Sequence, residues 1–260
     1  MGAAARPPVA VNLRITHIGG PTALIEIDGV RLLTDPTFDD PGRRYAFGLG
    51  TSSVKVAGPA LRPGELGRID GVLLSHDHHA DNLDDAGRAL LPSVPVVVTT
   101  VSGAGRLGSS CKAVGLAPWE SASVAGLEIT ATPARHGPPL SRALVGDAIG
   151  FAIRPPGSSS VIWMTGDTVL FSGAREVASR FTVDTVLLHL GKVQFGLTGP
   201  IKYTMNGRDA AQLIAELKPR RVVPVHYEGW SHFHEGRAEA EAAFPPSTLT
   251  WLTPGIAETV

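Results

Sequence analysis

The chain has 260 residues, a formal net charge of −1 and both signs of charge scattered along it. No basic stripe marks a nucleic-acid partner and no charge block marks a tail. With 43% hydrophobic and 18% charged residues, the composition is that of a soluble globular protein large enough for a full core. A single cysteine, Cys111, excludes an internal disulfide framework and a cysteine-based metal site, and fits a reducing, cytoplasmic setting. Met1 to Asn12 lacks a signal-peptide core, and stretch 1–11 reads as a flexible N-terminus. No run approaches ~18 apolar residues, so no membrane span is expected. Gly (30) and Pro (21) are plentiful, which points to many turns and away from a helical bundle.

In chain order, Leu13 to Ile18 and Thr22 to Ile27 read as strands, and Asp28-Gly29 as a hairpin turn into a third, Val30 to Thr34. Stretch 38–68 is rich in Gly, Pro and Arg and reads as a long surface loop, either bordering a site or merely connecting. Val72 to Leu74 is a buried strand, Leu83 to Leu91 a short helix stopped by Pro92, and Val94 to Thr100 another strand. Asp81 or Asn82 would cap that helix. Gly103-Ala104-Gly105-Arg106-Leu107-Gly108 matches a dinucleotide fingerprint, but the short, broken helix after it favours a plain glycine-rich helix start. Leu127 to Thr132, Ala148 to Arg154, Ser160 to Thr165, Thr185 to Leu190, Arg221 to Val225 and Thr248 to Leu252 read as strands. Phe171 to Arg180, the amphipathic Gly207 to Leu217, and Gly236 to Phe244 read as helices. About eleven strands in runs, with about five helices placed singly, predict an α+β fold: two mixed sheets face to face, helices outside, in one domain over 1–260.

The chemistry concentrates where apolar strands end. Val72–Ser75 runs into His76, Asp77, His78, His79 and Asp81. His76 and His78, two apart on extended chain, point to one side. Three further strands end in His136, Asp167 and His226. One such histidine means little, but aligned strands share one edge, so four such ends converge. Imidazole and carboxylate are a ligand set for zinc and similar ions. The count fits two ions: His76, His78 and His136 on one, Asp81 and His226 on the other, and Asp167 bridging, because a carboxylate has two lone-pair directions. Such a centre makes hydroxide from water near neutral pH and steadies the charge that builds up during attack.

Thr16-His17-Ile18-Gly19-Gly20, Leu33-Thr34-Asp35-Pro36, Ser75-His76-Asp77-His78, Thr165-Gly166-Asp167-Thr168 and Val225-His226-Tyr227, in this order, resemble the metallo-β-lactamase-fold hydrolases. The resembling branch includes ascorbate-phosphate lactonases and N-acyl-phosphatidylethanolamine-type phosphodiesterases. The resemblance covers nearly the whole chain. It implies an αββα sandwich, a metal site at the rim between the sheets, and hydrolysis by metal-bound hydroxide, with Asp81 both a ligand and the group that orients the nucleophile. It further implies two zinc ions, with manganese or iron as substitutes. The family runs H-x-H-x-D-H; here Ala80 is an extra residue before Asp81, and Asn82 stands where the last His belongs. Asn is the weaker zinc ligand, so the second ion is loosely held or absent, or His79 turns in to replace the missing ring. Asp167 stands where β-lactamases of one subclass carry Cys, which argues against an antibiotic-degrading role.

Beyond the ligands, His79, Asn82, Trp230 and His232 are candidate pocket residues, His232 as a substrate contact or proton donor or else as packing. Lys192, Lys202 and Tyr203 would bind an anionic group, or the lysines are simply solvated. His17 and His189 read as structural, and Asp35 as a partner of a ligand imidazole. The expected activity is metal-dependent hydrolysis of an ester, lactone or phosphodiester by a cytoplasmic enzyme acting on a small molecule. The alternative is a non-hydrolytic di-iron redox or ligand-sensing protein on the same scaffold.

Overall fold

In β1 (Leu13–Gly19) and β2 (Thr22–Ile27) successive side chains point to opposite faces, and both faces are apolar. Leu13, Ile15, Ala23, Ile25 and Ile27 enter one buried cluster, while Ile18 and Leu24 enter another. The sheet they begin is therefore covered on both sides. The computed structural model describes residues 11–48 and 50–260. Of the stretch expected to be flexible, 1–11, all but Val11 lies outside the described residues, and Val11 packs against the core.

The chain continues through β3 (Val30–Thr34), β4 (Arg44–Gly48), β5 (Thr51–Val54), β6 (Gly71–Leu73), α1 (Asp85–Leu90), β7 (Val97–Thr100), α2 (Val101–Leu107), β8 (Ala113–Leu116), β9 (Ser121–Val124) and β10 (Leu127–Pro133). It ends with α3 (Arg142–Val145), β11 (Ile149–Arg154), β12 (Ser160–Met164), α4 (Ser172–Arg180), β13 (Thr182–His189), α5 (Gly207–Leu217), β14 (Arg221–Val225), α6 (Arg237–Ala243) and β15 (Ala257–Thr259). One sheet runs β15-β1-β2-β3-β6-β7-β8, the other β14-β13-β12-β11-β10-β9. Side chains from both sheets, among them Ile15, Ile25, Leu73, Phe151, Met164 and Val223, meet in one cluster between them. Helices α4, α5 and α6 cover the outer face of the second sheet around Trp163 and Leu188. Leu107 of α2, with Leu91, covers Val72 and Leu74 on the outer face of the first. This is the expected αββα sandwich. Among the described residues no helix is long and apolar enough to cross a membrane.

Strand direction brings the polar strand ends together. β10 and β12 are both antiparallel to β11, and β12, β13 and β14 are mutually parallel. The carboxyl ends of β10, β12 and β14 therefore lie on one edge. Pro224 is tolerated in β14 because that strand is at the sheet border.

Stretch 38–68 is more than a connection. It holds the β4–β5 hairpin, which is tied to the segment after β14 by a Lys55–Trp230 bridge and by Ser231 N–H donating to the Val54 carbonyl at 2.9 Å. The cap of α1 is Asp84, not Asp81 or Asn82; its carboxylate accepts from Gly87 N–H at 2.9 Å. The glycine fingerprint falls inside α2, where Thr100 caps the helix and a Cβ on Gly103 would meet Thr100 Oγ1 at 2.8 Å. Of the three, only Gly103 is closely packed; nothing lies within 4 Å of a Cβ on Gly105 or Gly108. Stretch 248–252 makes an isolated bridge, Val222 with Leu249, rather than a strand; the last strand is β15, paired with β1.

Candidate metal centre

Each inward-facing group is set by a backbone feature. Asp35 accepts from Ser75 N–H at 2.6 Å where the chain leaves β6, and the Ser75 hydroxyl bonds His76 Nδ1 at 2.9 Å. His76 Nε2 is thereby aimed into the rim. His136, just beyond β10, donates from Nδ1 to the Tyr203 carbonyl at 2.9 Å, again leaving Nε2 inward. His226 follows β14 with φ of +57°, a left-handed conformation that costs a non-glycine residue about 1–2 kcal/mol. Its N–H donates to Gly20 at 2.7 Å and its Nδ1 to Leu190 at 3.3 Å. Fixing one ring nitrogen this way aims the other inward, where a metal ligand is needed.

The inward nitrogens sit close together. His79 Nδ1 is 3.2 Å from His76 Nε2 and 3.1 Å from His136 Nε2. Zinc–imidazole bonds of 2.0–2.1 Å in a tetrahedron give an edge of about 3.3 Å, so the spacing suits one ion. Ligand atoms fall into three groups whose members lie within 4.8 Å of one another: His76, His78 and His79; His76, His136 and Asp167; and Asp81, Asp167 and His226. Asp167 belongs to the last two. Asp81 Oδ1, both carboxylate oxygens of Asp167, and His226 Nε2 are buried without a hydrogen-bond partner. Buried polar atoms are costly to leave unpaired. A divalent ion satisfies all of them, and the donor set fits one.

The electrostatics agree. Burial, reinforced by neighbouring rings, holds His76 and His79 well below the usual imidazole range, and burial brings His136 down to about 4. All three rings are therefore neutral, the form that binds metal. Burial pushes Asp167 up to about 7, with Asp81 and Asp35 adding to it against His226. Burial disfavours the charged ring of His226, but the Asp167 and Asp81 carboxylates outweigh it and raise it to about 9. His226 Nε2 lies 3.5 Å from Asp81 and 3.4 Å from Asp167.

The other expected residues divide. His78 is turned so that Nε2 donates to the Val145 carbonyl at 2.5 Å. His232 lines the cleft, its Nε2 3.0 Å from Asp81 Oδ2 and its Nδ1 2.6 Å from the Ser53 hydroxyl. Asn82 does not line the cleft. It is fully buried, and its amide donates to Asp35 at 3.2 Å and to Ser75 at 3.3 Å. Trp230 does not line it either; it is buried behind the hairpin against Tyr45 and Phe47. Lys192 pairs with Glu235 and Lys202 with Asp209, which turns both lysines away from any anion in the cleft; Tyr203 stays on its wall. Asp35 faces Ser75, Asn82 and the structural His189 rather than a candidate ligand ring. The sequence reading missed Phe47 and Phe195. Their rings lie against His232 at 4.8 and 5.0 Å and against one another at 5.5 Å, and both line the cleft.

Residues 30–227 match the family described as the Beta-lactamase superfamily domain. A UPF0173 metal-dependent hydrolase of Pelotomaculum thermopropionicum is 31% identical over 202 residues, covering 72% of this chain and 81% of its own. One from Caldivirga maquilingensis is 27% identical over 242 residues, covering 89% and 91%. Among solved structures, the isothiocyanate hydrolase from Delia radicum gut bacteria has a TM-score of 0.80 at 21% identity, over 95% of this chain and 98% of that one, a likeness of fold. The neutral imidazoles and orphaned carboxylates at the sandwich rim thus lie in an enzyme of the β-lactamase superfamily, and the chain belongs to its UPF0173 metal-dependent hydrolases.

Proposed function

We propose that the enzyme hydrolyses an uncharged ester or lactone carrying a small apolar or aryl group, with a phosphodiester the poorer substrate. The observation that carries this is the cleft lining. Phe47, Val145, Val193, Phe195 and Tyr203 form its walls, and among the described residues no lysine or arginine lines it. A phosphate oxyanion entering there would find no side-chain cation to offset its desolvation.

His76, His136, Asp81, Asp167 and His226 would hold the metal, with a further imidazole from the adjacent His78 and His79; two zinc ions are the first candidates. When bound, a divalent ion acidifies water and polarises a carbonyl oxygen. The chain's own part is positioning. Asp81, held at Oδ2 by His232, would ligate through Oδ1 and orient the attacking water. The Phe47 and Phe195 rings exclude bulk water and hold the apolar end of the substrate. A lone cysteine supports a cytoplasmic setting.

The test is a panel of aryl acetate, γ-lactone and bis-aryl phosphodiester on zinc-loaded protein. Ester or lactone turnover at least about tenfold above the phosphodiester in kcat/KM, a difference of about 1.4 kcal/mol, supports the reading. Phosphodiester preference, or no turnover of any member, overturns it.

A further inference from the structure

We infer that His79, not its neighbour His78, supplies the second imidazole of the metal centre, and that His78 is a structural strut. The inference rests on the metal-dependent reading above. The rings of His76, His79 and His136 form a nearly equilateral triangle, with centroids 5.1, 5.2 and 5.0 Å apart. Their inward nitrogens are linked through His79 Nδ1 at 3.2 and 3.1 Å. His78 stands outside that triangle, beside His76 and His79 at 4.8 and 4.3 Å.

The two rings have different partners. His78 spends Nε2 on the Val145 carbonyl at 2.5 Å; its Nδ1 has no hydrogen-bond partner, the nearest carboxylate being Asp77 at 3.9 Å. It is also wedged under the turn after α3: a Cβ on Gly146, where φ is +75°, would lie 2.3 Å from its Nε2 and Cε1. Swinging the ring inward would strip a hydrogen bond from a turn built around it. His79 gives up no such bond to face the rim, and its ring is capped from outside by Phe47 at 5.5 Å.

The chain explains why the ligand is displaced. Two consecutive residues cannot point the same way on extended backbone. Beyond Asp77 the chain leaves the strand and turns, with Leu83 N–H donating to the His79 carbonyl at 2.9 Å. The extra residue between His76 and Asp81 is taken up in this turn. His79-Ala80-Asp81 thereby keeps one residue between ring and carboxylate, so both reach the rim.

The test reads metal directly. Zinc affinity and stoichiometry, by calorimetry and elemental analysis of full-length protein, should fall by at least about 100-fold in His79→Ala and stay within a few-fold of wild type in His78→Ala. Should His79→Ala not fold, cysteine replacements decide. Cobalt(II)-loaded His79→Cys should show a thiolate-to-cobalt charge-transfer band that wild type and His78→Cys lack. A band in His78→Cys, no band in His79→Cys, or metal loss confined to His78→Ala overturns the inference and leaves the hydrolase reading standing. Wild-type protein that binds no metal overturns both.

Discussion

His232 Nε2 lies 3.0 Å from Asp81 Oδ2, while the opposite nitrogen of the same ring bonds the Ser53 hydroxyl at 2.6 Å. The hairpin that carries Ser53 is thereby joined, through one imidazole, to a carboxylate of the rim. Ser53 is fully buried, so the chain of contacts orients the ring rather than creating a nucleophile.

The first expectation concerns that ring. Replacing His232 by Ala leaves Asp81 without its lateral hold and should lower kcat/KM by about 10–100-fold with metal content unchanged. Ser53→Ala removes a neutral hydrogen bond worth about 1 kcal/mol and should cost about fivefold. Steady-state kinetics with elemental analysis checks both, and unchanged kcat/KM in His232→Ala would refute the role.

Metal removal should destabilise as well as inactivate. Without an ion, Asp81, Asp167 and His226 keep unpaired buried atoms. Zinc at 100 times its Kd adds about 2.7 kcal/mol, which in a chain of this size raises Tm by roughly 5–10 °C. Calorimetry of chelated and zinc-saturated protein measures the difference; equal melting temperatures would count against a buried metal site.

The strand ends were legible because an apolar, β-branched run followed by His or Asp is both a burial signal and a chemical one. Val72–His76 and Val222–His226 carry that contrast in the sequence itself. The cleft walls were not legible. Phe47 lies in β4, inside a stretch that reads as loop, and Phe195 in a segment with no periodicity; the docking of the hairpin on 230–231 brings Phe47 over His232. Trp230 departs from the expectation for a related reason: nearness in sequence to His226 says nothing of side-chain direction, and its ring packs behind the hairpin against Tyr45. β15 escaped because three residues are too few for a pattern; its pairing with β1 is a long-range contact.

A buried ion pair fastens the hairpin. Lys55 Nζ meets Asp84 Oδ2 at 2.7 Å, with 3% and 0% of the two side chains exposed. Asp84 also accepts from the N–H groups of Phe38, Asp39 and Gly87. Lys55→Met leaves that carboxylate buried without its counter-charge, so it should destabilise by about 3–5 kcal/mol. Adding Asp84→Asn should recover part of the loss, because the two sites share one interaction. Urea denaturation of the single and double variants checks this, and additive losses would contradict it.

Gly166 sets the position of Asp167. Its φ is +61°, and a Cβ there would lie 2.4 Å from the Ile149 carbonyl oxygen, a backbone atom that cannot swing aside. Gly157 has a similar φ of +73° with nothing within 4 Å, so Gly157→Ala bears only the conformational cost of about 1–2 kcal/mol. Gly166→Ala bears that cost and the clash. It should push the segment away from β11, carry Asp167 off the rim, and melt below Gly157→Ala with reduced zinc content. A Gly166→Ala protein matching Gly157→Ala in both Tm and zinc would mean that the contact with Ile149 does not hold Asp167 in place.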